Sequence, residues 1–126
     1  MSGLARSFRE LEVYQEAFRF QQEVFVASKK FPSEERFSLT DQIRRSSRSV
    51  GANLAESWAK RRYPAHFLSK LTDADGELQE TFHWISSAAA CGYLNEAEAK
   101  QLNEHAAIVG RLLGSTIHNS HSFCIS

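Results

Sequence analysis

Apolar side chains recur at three- and four-residue steps through almost the whole chain, and this regularity restricts the fold to packed helices. Strand-type alternation bounded by turn residues is absent, and the only prolines, Pro32 and Pro64, fall where the helical period is interrupted. A first helix over about 11–30 carries Val13, Ala17, Phe20, Val24, Ala27 and Phe31, with Tyr14, Phe18 and Phe25 widening the stripe. Ser7 and Glu10 have capping-box spacing ahead of it. "KKFPSEERF" ends it, because Pro32 lacks an amide hydrogen and disfavours helical backbone at Phe31. Ser38 and Asp41 have cap spacing for a second helix over about 39–61, and "YPAH" makes the next corner.

The third helix, about 64–91, has Pro64 in its first turn and carries Leu68, Leu71, Leu78, Phe82, Ile85 and Ala89 on a heptad-like seam. "CGYLNEAE" supplies a glycine stop and a new cap, Asn95 with Glu98. A fourth helix, about 95–118, places Leu102, Ala106, Val109, Leu113 and Ile117 on one face. Residues 119–126 lose the period and are expected to form a loosely held tail. Four long helices with short links predict an all-α, antiparallel up-down-up-down bundle, one domain over residues 1–126.

The second helix is the unusual one. On a helical wheel Leu39, Ile43, Val50, Leu54 and Trp58 form its core stripe, with Gln42, Ser46, Ser49, Asn53 and Lys60 along the flank. Arg44, Arg45, Arg48 and Arg62 fall on the far side, interleaved with Gly51, Ala52, Ala55 and Ala59. Small residues there let another backbone approach closely, so a packed contact with a neighbouring subunit is the sharper expectation and a plain solvated face the blander one. Asn53 borders the core and needs a hydrogen-bond partner, while Glu56 reaches either Lys60 or a partner helix. Both read as register-fixing polar contacts rather than as a binding or catalytic site.

Lysine and arginine total 15, equal to aspartate and glutamate, so only a local field can favour a polyanion. From Arg36 to Arg62 the basic residues are opposed by Asp41 and Glu56 alone, whereas from Asp73 to Glu104 the acids are opposed by Lys100 alone. If helix two lies beside helix three of its own or another copy, these fields complement each other and specify assembly. If the arginines stay exposed, they contact phosphates without reading sequence. Arg44, Arg45, Arg48, Arg61 and Arg62 are therefore candidate contacts to a nucleic acid or a neighbouring subunit.

Catalytic and metal chemistry find little to work with. Glu80 and His83 match a Glu-x-x-His unit, but a di-iron bundle needs a second copy and further inward carboxylates. His118, His121 and Cys124 lack a fourth ligand, and Asp73 to Glu77 lacks the ligand ladder of a calcium loop. Cys91 reads as a small apolar residue at a helix end, and His66 and His105 have no evident charge-relay partner. Trp58 and Trp84 read as core or interface anchors. No enzymatic activity, cofactor or metal is expected. With two cysteines, Cys91 and Cys124, and no charged-then-apolar leader, the expectation is a cytoplasmic protein with free thiols and no membrane partner.

The stretches "FRELEVYQEAFRFQQEVF", "FPSEERFSLTDQIRRSSRSVGANLAESWAKR", "FLSKLTDADGELQETFHWISSAAACGYL" and "LLGSTIHNSHSF" resemble the bacterial four-helix-bundle proteins encoded by intervening sequences in large-subunit ribosomal RNA genes. The resemblance runs from about Phe8 to Phe123. Its most specific parts are L-x-x-Q-x-R-R-[AS] at Leu39 to Ser46, S-[VI]-x-A-N-[IL]-A-E at Ser49 to Glu56, and C-G-Y-L. It implies a left-handed bundle and a ring-shaped homopentamer. A related group in diversity-generating retroelements associates with a reverse transcriptase and nucleic acid. That relation makes Arg44, Arg45 and Arg48 candidate polyanion contacts, and Gln42, Asn53 and Glu56 candidate bundle and subunit contacts. The expected function is a non-enzymatic oligomeric scaffold or adaptor. The alternative is weak, sequence-independent RNA or DNA binding through helix two.

Overall fold

The helical periods become four long α-helices: α1 Glu12–Ser28, α2 Asp41–Ala59, α3 Pro64–Ala90 and α4 Glu96–His118. A computed structural model describes residues 5–125, and among these no strand occurs. Cross-helix contacts fix an antiparallel order. Ser28 meets Arg44 and Tyr14 approaches Gly51, so α1 and α2 run opposite ways. Arg45 meets Glu77 while Glu56 meets Lys70, which orients α2 against α3. Lys30 pairs with Glu98 and Glu16 with His105, closing the bundle with α4 against α1.

The core runs through all four helices. Phe20, Ile43, Leu54, Phe67, Leu71, Leu78, Ile85, Val109 and Leu113 are fully buried. On α3 the buried positions are Phe67, Leu71, Ala74, Leu78, Thr81, Ile85 and Ala88. These alternate four- and three-residue steps from Phe67, so Leu68, Phe82 and Ala89 of the expected seam lie off it, and Leu68 is exposed. Phe18, read as part of the α1 stripe, is likewise exposed.

The ends of the helices separate good local signals from poor ones. Asn95 and Glu98 form the expected reciprocal capping box, each bond 2.8 Å. Pro64 opens α3, and Gly92 stops the chain with φ of 80°. The other two caps differ. Ser7 accepts from the Arg9 amide and heads a 3-10 turn, Phe8–Glu10, while Glu10 accepts from the Arg6 amide; α1 starts only at Glu12. Ser38 donates to the Glu35 carboxylate at 2.6 Å, and the chain enters α2 through a π turn, Arg36–Thr40, without a side-chain cap.

Residues 119–125 are not a loose tail. They form a 3-10 turn, Ser120–Phe123, whose Phe123 ring lies 6.2 Å from that of Phe67. The Ile125 amide donates to the Arg61 carbonyl at 3.0 Å. One half-buried aromatic and one backbone bond hold the segment, and neither needs helical periodicity.

At the end of the bundle holding the α1–α2 and α3–α4 links, the Tyr93 hydroxyl donates to Glu35 at 2.9 Å. Hydrogen bonds from Ser38 and then Tyr93 hold the Glu35 carboxyl below its ordinary range, and Glu35 pushes the Tyr93 phenol up to about 12. The lowered carboxyl contributes stability present above the ordinary carboxylate range and lost as pH falls. The raised phenol contributes stability present below pH 10.0 and lost as pH rises toward about 12. In thermal melts against pH, Tyr93→Phe is expected to lose less melting temperature than the parent protein across that alkaline interval. Parallel curves would show the bond to be energetically silent.

Candidate functional site: a cationic cluster on the first two helices

Antiparallel packing of α1 and α2 sets two pairs, each spaced one helical turn apart, against one another. Phe25 comes from the last turn of α1 and Lys29 from the residue that caps it, Arg44 and Arg48 from the start of α2. The three cations converge on the half-buried Phe25 ring, with Lys29 Nζ 4.9 Å, Arg44 Cζ 4.8 Å and Arg48 Cζ 5.6 Å from its centroid. Arg44 is further held where its Nε donates at 2.8 Å to the hydroxyl of buried Ser28. Among the described residues, none of the three cations takes part in an ion pair. Beside them runs a groove of about 600 Å³ lined by Asp41, Gln42, Arg44, Arg45, Arg48, Ser49 and Ala52.

The five arginines singled out from the sequence therefore divide. Arg45 turns away to α3, where it binds Glu77 at 3.1 Å and also pairs with Glu80. Glu80 raises the Arg45 guanidinium further above its ordinary value, and Trp84, then Arg45, lowers the Glu80 carboxyl. Arg61 stacks 3.5 Å above the Trp58 ring and donates to the Trp58 carbonyl. Arg62 is exposed beyond the far end of α2, whose last residue is about 16 Å from Arg48 at 1.5 Å of rise per residue. Only Arg44 and Arg48 are brought together. Lys29 and Phe25 complete the group, and the signal for them was an i,i+4 pair on the helix that had to pack antiparallel to Arg44 and Arg48.

The three polar candidates are bonded within the chain, two inside α2 and one across to α3. Gln42 accepts from Arg45 at 3.1 Å, Asn53 donates to the Ser49 carbonyl of its own helix at 2.9 Å, and Glu56 crosses to Lys70 of α3 at 3.0 Å. The complementary fields of α2 and α3 thus meet within one chain. Gly51 also points inward rather than toward a neighbouring subunit. It is buried, and a Cβ placed there would lie 3.4 Å from Tyr14 of α1. The inward arc of α2 is wider than the apolar stripe suggests, because Ser46, Ser47 and Ser57 are fully buried and the Ser46 and Thr81 hydroxyls sit 2.8 Å apart.

His105 does have carboxylate partners. Its Nδ1 lies 2.9 Å from Glu23 and its Nε2 3.0 Å from Glu16, both on α1. The ring bridges α4 to α1, edge-on to Phe20. Glu80 of the Glu-x-x-His unit is occupied by Arg45 and by the Trp84 indole at 2.9 Å. Among the described residues no group of three ligating side chains is placed to hold a metal ion, and no helix is long and apolar enough to cross a membrane.

No curated protein matches the sequence significantly. Among solved structures, the chain is similar to a protein with unknown function from the S23 ribosomal protein family of Bacteroides thetaiotaomicron. The two are 26% identical with a TM-score of 0.75, over 84% of this chain and 95% of that one. Residues 9–115 match the 23S rRNA-intervening sequence proteins. That span takes in all of α1, α2 and α3, the cationic cluster and most of α4, and on it the chain belongs to the 23S rRNA-intervening sequence protein family.

Proposed function

We propose that the chain is a non-enzymatic scaffold or adaptor that assembles with copies of itself, five to a ring as the family resemblance implies. The observation that carries this reading is the apolar groove between α1 and α4. It has a volume of about 560 Å³, is bordered by Phe18 and Val26, and has buried Leu102 among its lining residues. Phe18 is 45% and Val26 66% exposed, a cost that burial against another surface removes. Arg19, Glu23 and Glu98 line the same groove with both signs of charge. The formal net charge of zero lets identical copies approach without a repulsive net field. A second copy is therefore the occupant best suited to it.

Sedimentation velocity at micromolar concentration is expected to show a species several times the chain mass. Phe18→Glu with Val26→Glu is expected to reduce it to a monomer with unchanged helical circular dichroism. A parent protein that sediments as a monomer ends the proposal. An oligomer indifferent to the double substitution moves the interface elsewhere and removes the groove's role.

A further inference from the structure

We infer that the α1–α4 groove of one copy is filled by the corner between α2 and α3 of the next, through Tyr63, Leu68 and Ile125; this rests on the self-assembly proposed above and names the two halves of the contact. A ring of five copies cannot be closed by pairing one surface with itself, because each copy must present different surfaces to its two neighbours. The groove is one such surface. Apart from Phe18 and Val26 on its border, the exposed large apolar residues among those described are Phe37, Tyr63, Leu68, Ile108 and Ile125. Phe37 in the α1–α2 link and Ile108 on α4 are each the one such residue of their element. The other three lie at the α2–α3 corner: Tyr63 caps the start of α3, Leu68 follows Pro64 by one turn, and the Ile125 amide is bonded to the Arg61 carbonyl.

Charge matches the two surfaces. From Ser57 to Thr72 the chain holds Lys60, Arg61, Arg62 and Lys70 and no acid. Lys70 is taken by Glu56 and Asp73, and Arg61 lies over Trp58. Lys60 and Arg62 are exposed and, among the described residues, join no ion pair. The groove sets Glu23 and Glu98 against Arg19 alone. Glu23 Oε1 is buried with no hydrogen-bond donor in the chain, so a positive charge brought to the groove lowers the cost of that carboxylate through its field. Lys60 and Arg62, at the rim of the corner, bring that charge. The two surfaces cannot meet within one chain. The groove occupies the half of the bundle next to the α1–α2 and α3–α4 links, the corner lies at the opposite end, and α2 between them has 19 residues, about 28 Å. The corner is also ordered in advance. Tyr63 rests on His66 at 5.7 Å and Phe123 on Phe67 at 6.2 Å, while Arg61 donates to the Trp58 carbonyl, so little freedom is left to lose on association.

Sedimentation velocity of two complementary variants tests the pairing. Phe18→Glu with Val26→Glu spoils the groove and keeps the corner. Tyr63→Glu with Leu68→Glu spoils the corner and keeps the groove, and acidic side chains suit the first turns of α3. Each variant alone is expected to sediment as a monomer with the helical circular dichroism of the parent. Mixed in equal amounts, the two are expected to form a species of twice the chain mass and nothing larger, since one sound groove and one sound corner remain between them. The mixture is run well above the concentration at which the parent assembles, because a lone contact lacks the closure that strengthens a ring. A second corner variant, Lys60→Glu with Arg62→Glu, changes only exposed polar side chains and is expected to raise the concentration for half-assembly about tenfold. A monomeric parent ends self-assembly and this pairing together. A parent oligomer that survives Tyr63→Glu with Leu68→Glu overturns the pairing alone. So does a mixture that stays monomeric, or an assembly that the charge reversal leaves unchanged.

Discussion

Phe20→Ala is expected to lower the unfolding free energy by about 3–5 kcal/mol, the range for deleting a phenyl ring from a packed core. Phe20 is fully buried on α1, and its ring also supports His105 from α4, edge to face at 5.7 Å between centroids. Truncation opens a cavity where the α1–α4 seam meets the core. It also loosens the imidazole that joins Glu16 and Glu23. Domains of this size are stable by only about 5–15 kcal/mol, so the variant should stand near the edge of folding at ambient temperature. Urea denaturation followed by circular dichroism measures it, with a lower midpoint and an unchanged slope as the expected pattern. Phe37→Ala provides the contrast: Phe37 is 79% exposed, and a change within about 0.5 kcal/mol is expected there. A Phe20 variant as stable as the Phe37 variant would contradict the packing described here.

Gly51 should respond in opposite directions to two substitutions. An alanine Cβ would sit 3.4 Å from the Tyr14 ring and 3.8 Å from Gln21, which is ordinary contact. Alanine also gains up to about 1 kcal/mol of helix propensity over glycine, so Gly51→Ala should be neutral to stabilising. Leucine carries three further carbons into that contact and must push α1 away, at a cost of about 1–3 kcal/mol from overpacking. The displacement would also spread Phe25 and Lys29 from Arg44 and Arg48, because both pairs lie on the same two helices. Differential scanning calorimetry of the two variants decides the matter. Equal melting temperatures would show that α1 does not rest on Gly51. If Gly51→Leu instead dissociated an oligomer without lowering the stability of the chain, the glycine would belong to an interface between copies.

Gly51, in the middle of α2, and Gly92, just past the end of α3, show why the sequence is a good guide in one place and a poor one in another. Gly92 stops a helix through its own backbone angle, and the adjoining Asn95–Glu98 box is complete within four residues. Gly51 is defined by what lies across from it. Its place on the wheel next to arginines suggested an outer surface, because the inward arc was drawn from apolar residues alone. Ser46, Ser47 and Ser57 are equally buried there, their hydroxyls bonded locally to Ile43, Arg44 and Leu54 carbonyls. Serine and glycine carry no hydrophobic signal, so close helix packing through them is invisible to a search for apolar periodicity.

The candidate site followed the same division. Arg44 and Arg48 were legible as a basic pair one turn apart on a helix. Arg45, identical in type and adjacent in sequence, points a hundred degrees away and meets carboxylates 32 and 35 residues further on. The carboxylates that meet His105 lie 82 and 89 residues earlier, beyond the reach of any local pattern. The sequence alone determined the four helices, their order, their glycine and Asn-Glu boundaries and the family, since each of these depends on residues within a few turns or on a continuous pattern. Only the tertiary structure decided which charges are neutralised inside the chain and which are left together around Phe25. That outcome depends on which helix lies opposite each side chain, and a contact across the bundle is set by the packing of the whole core rather than by any neighbouring residue.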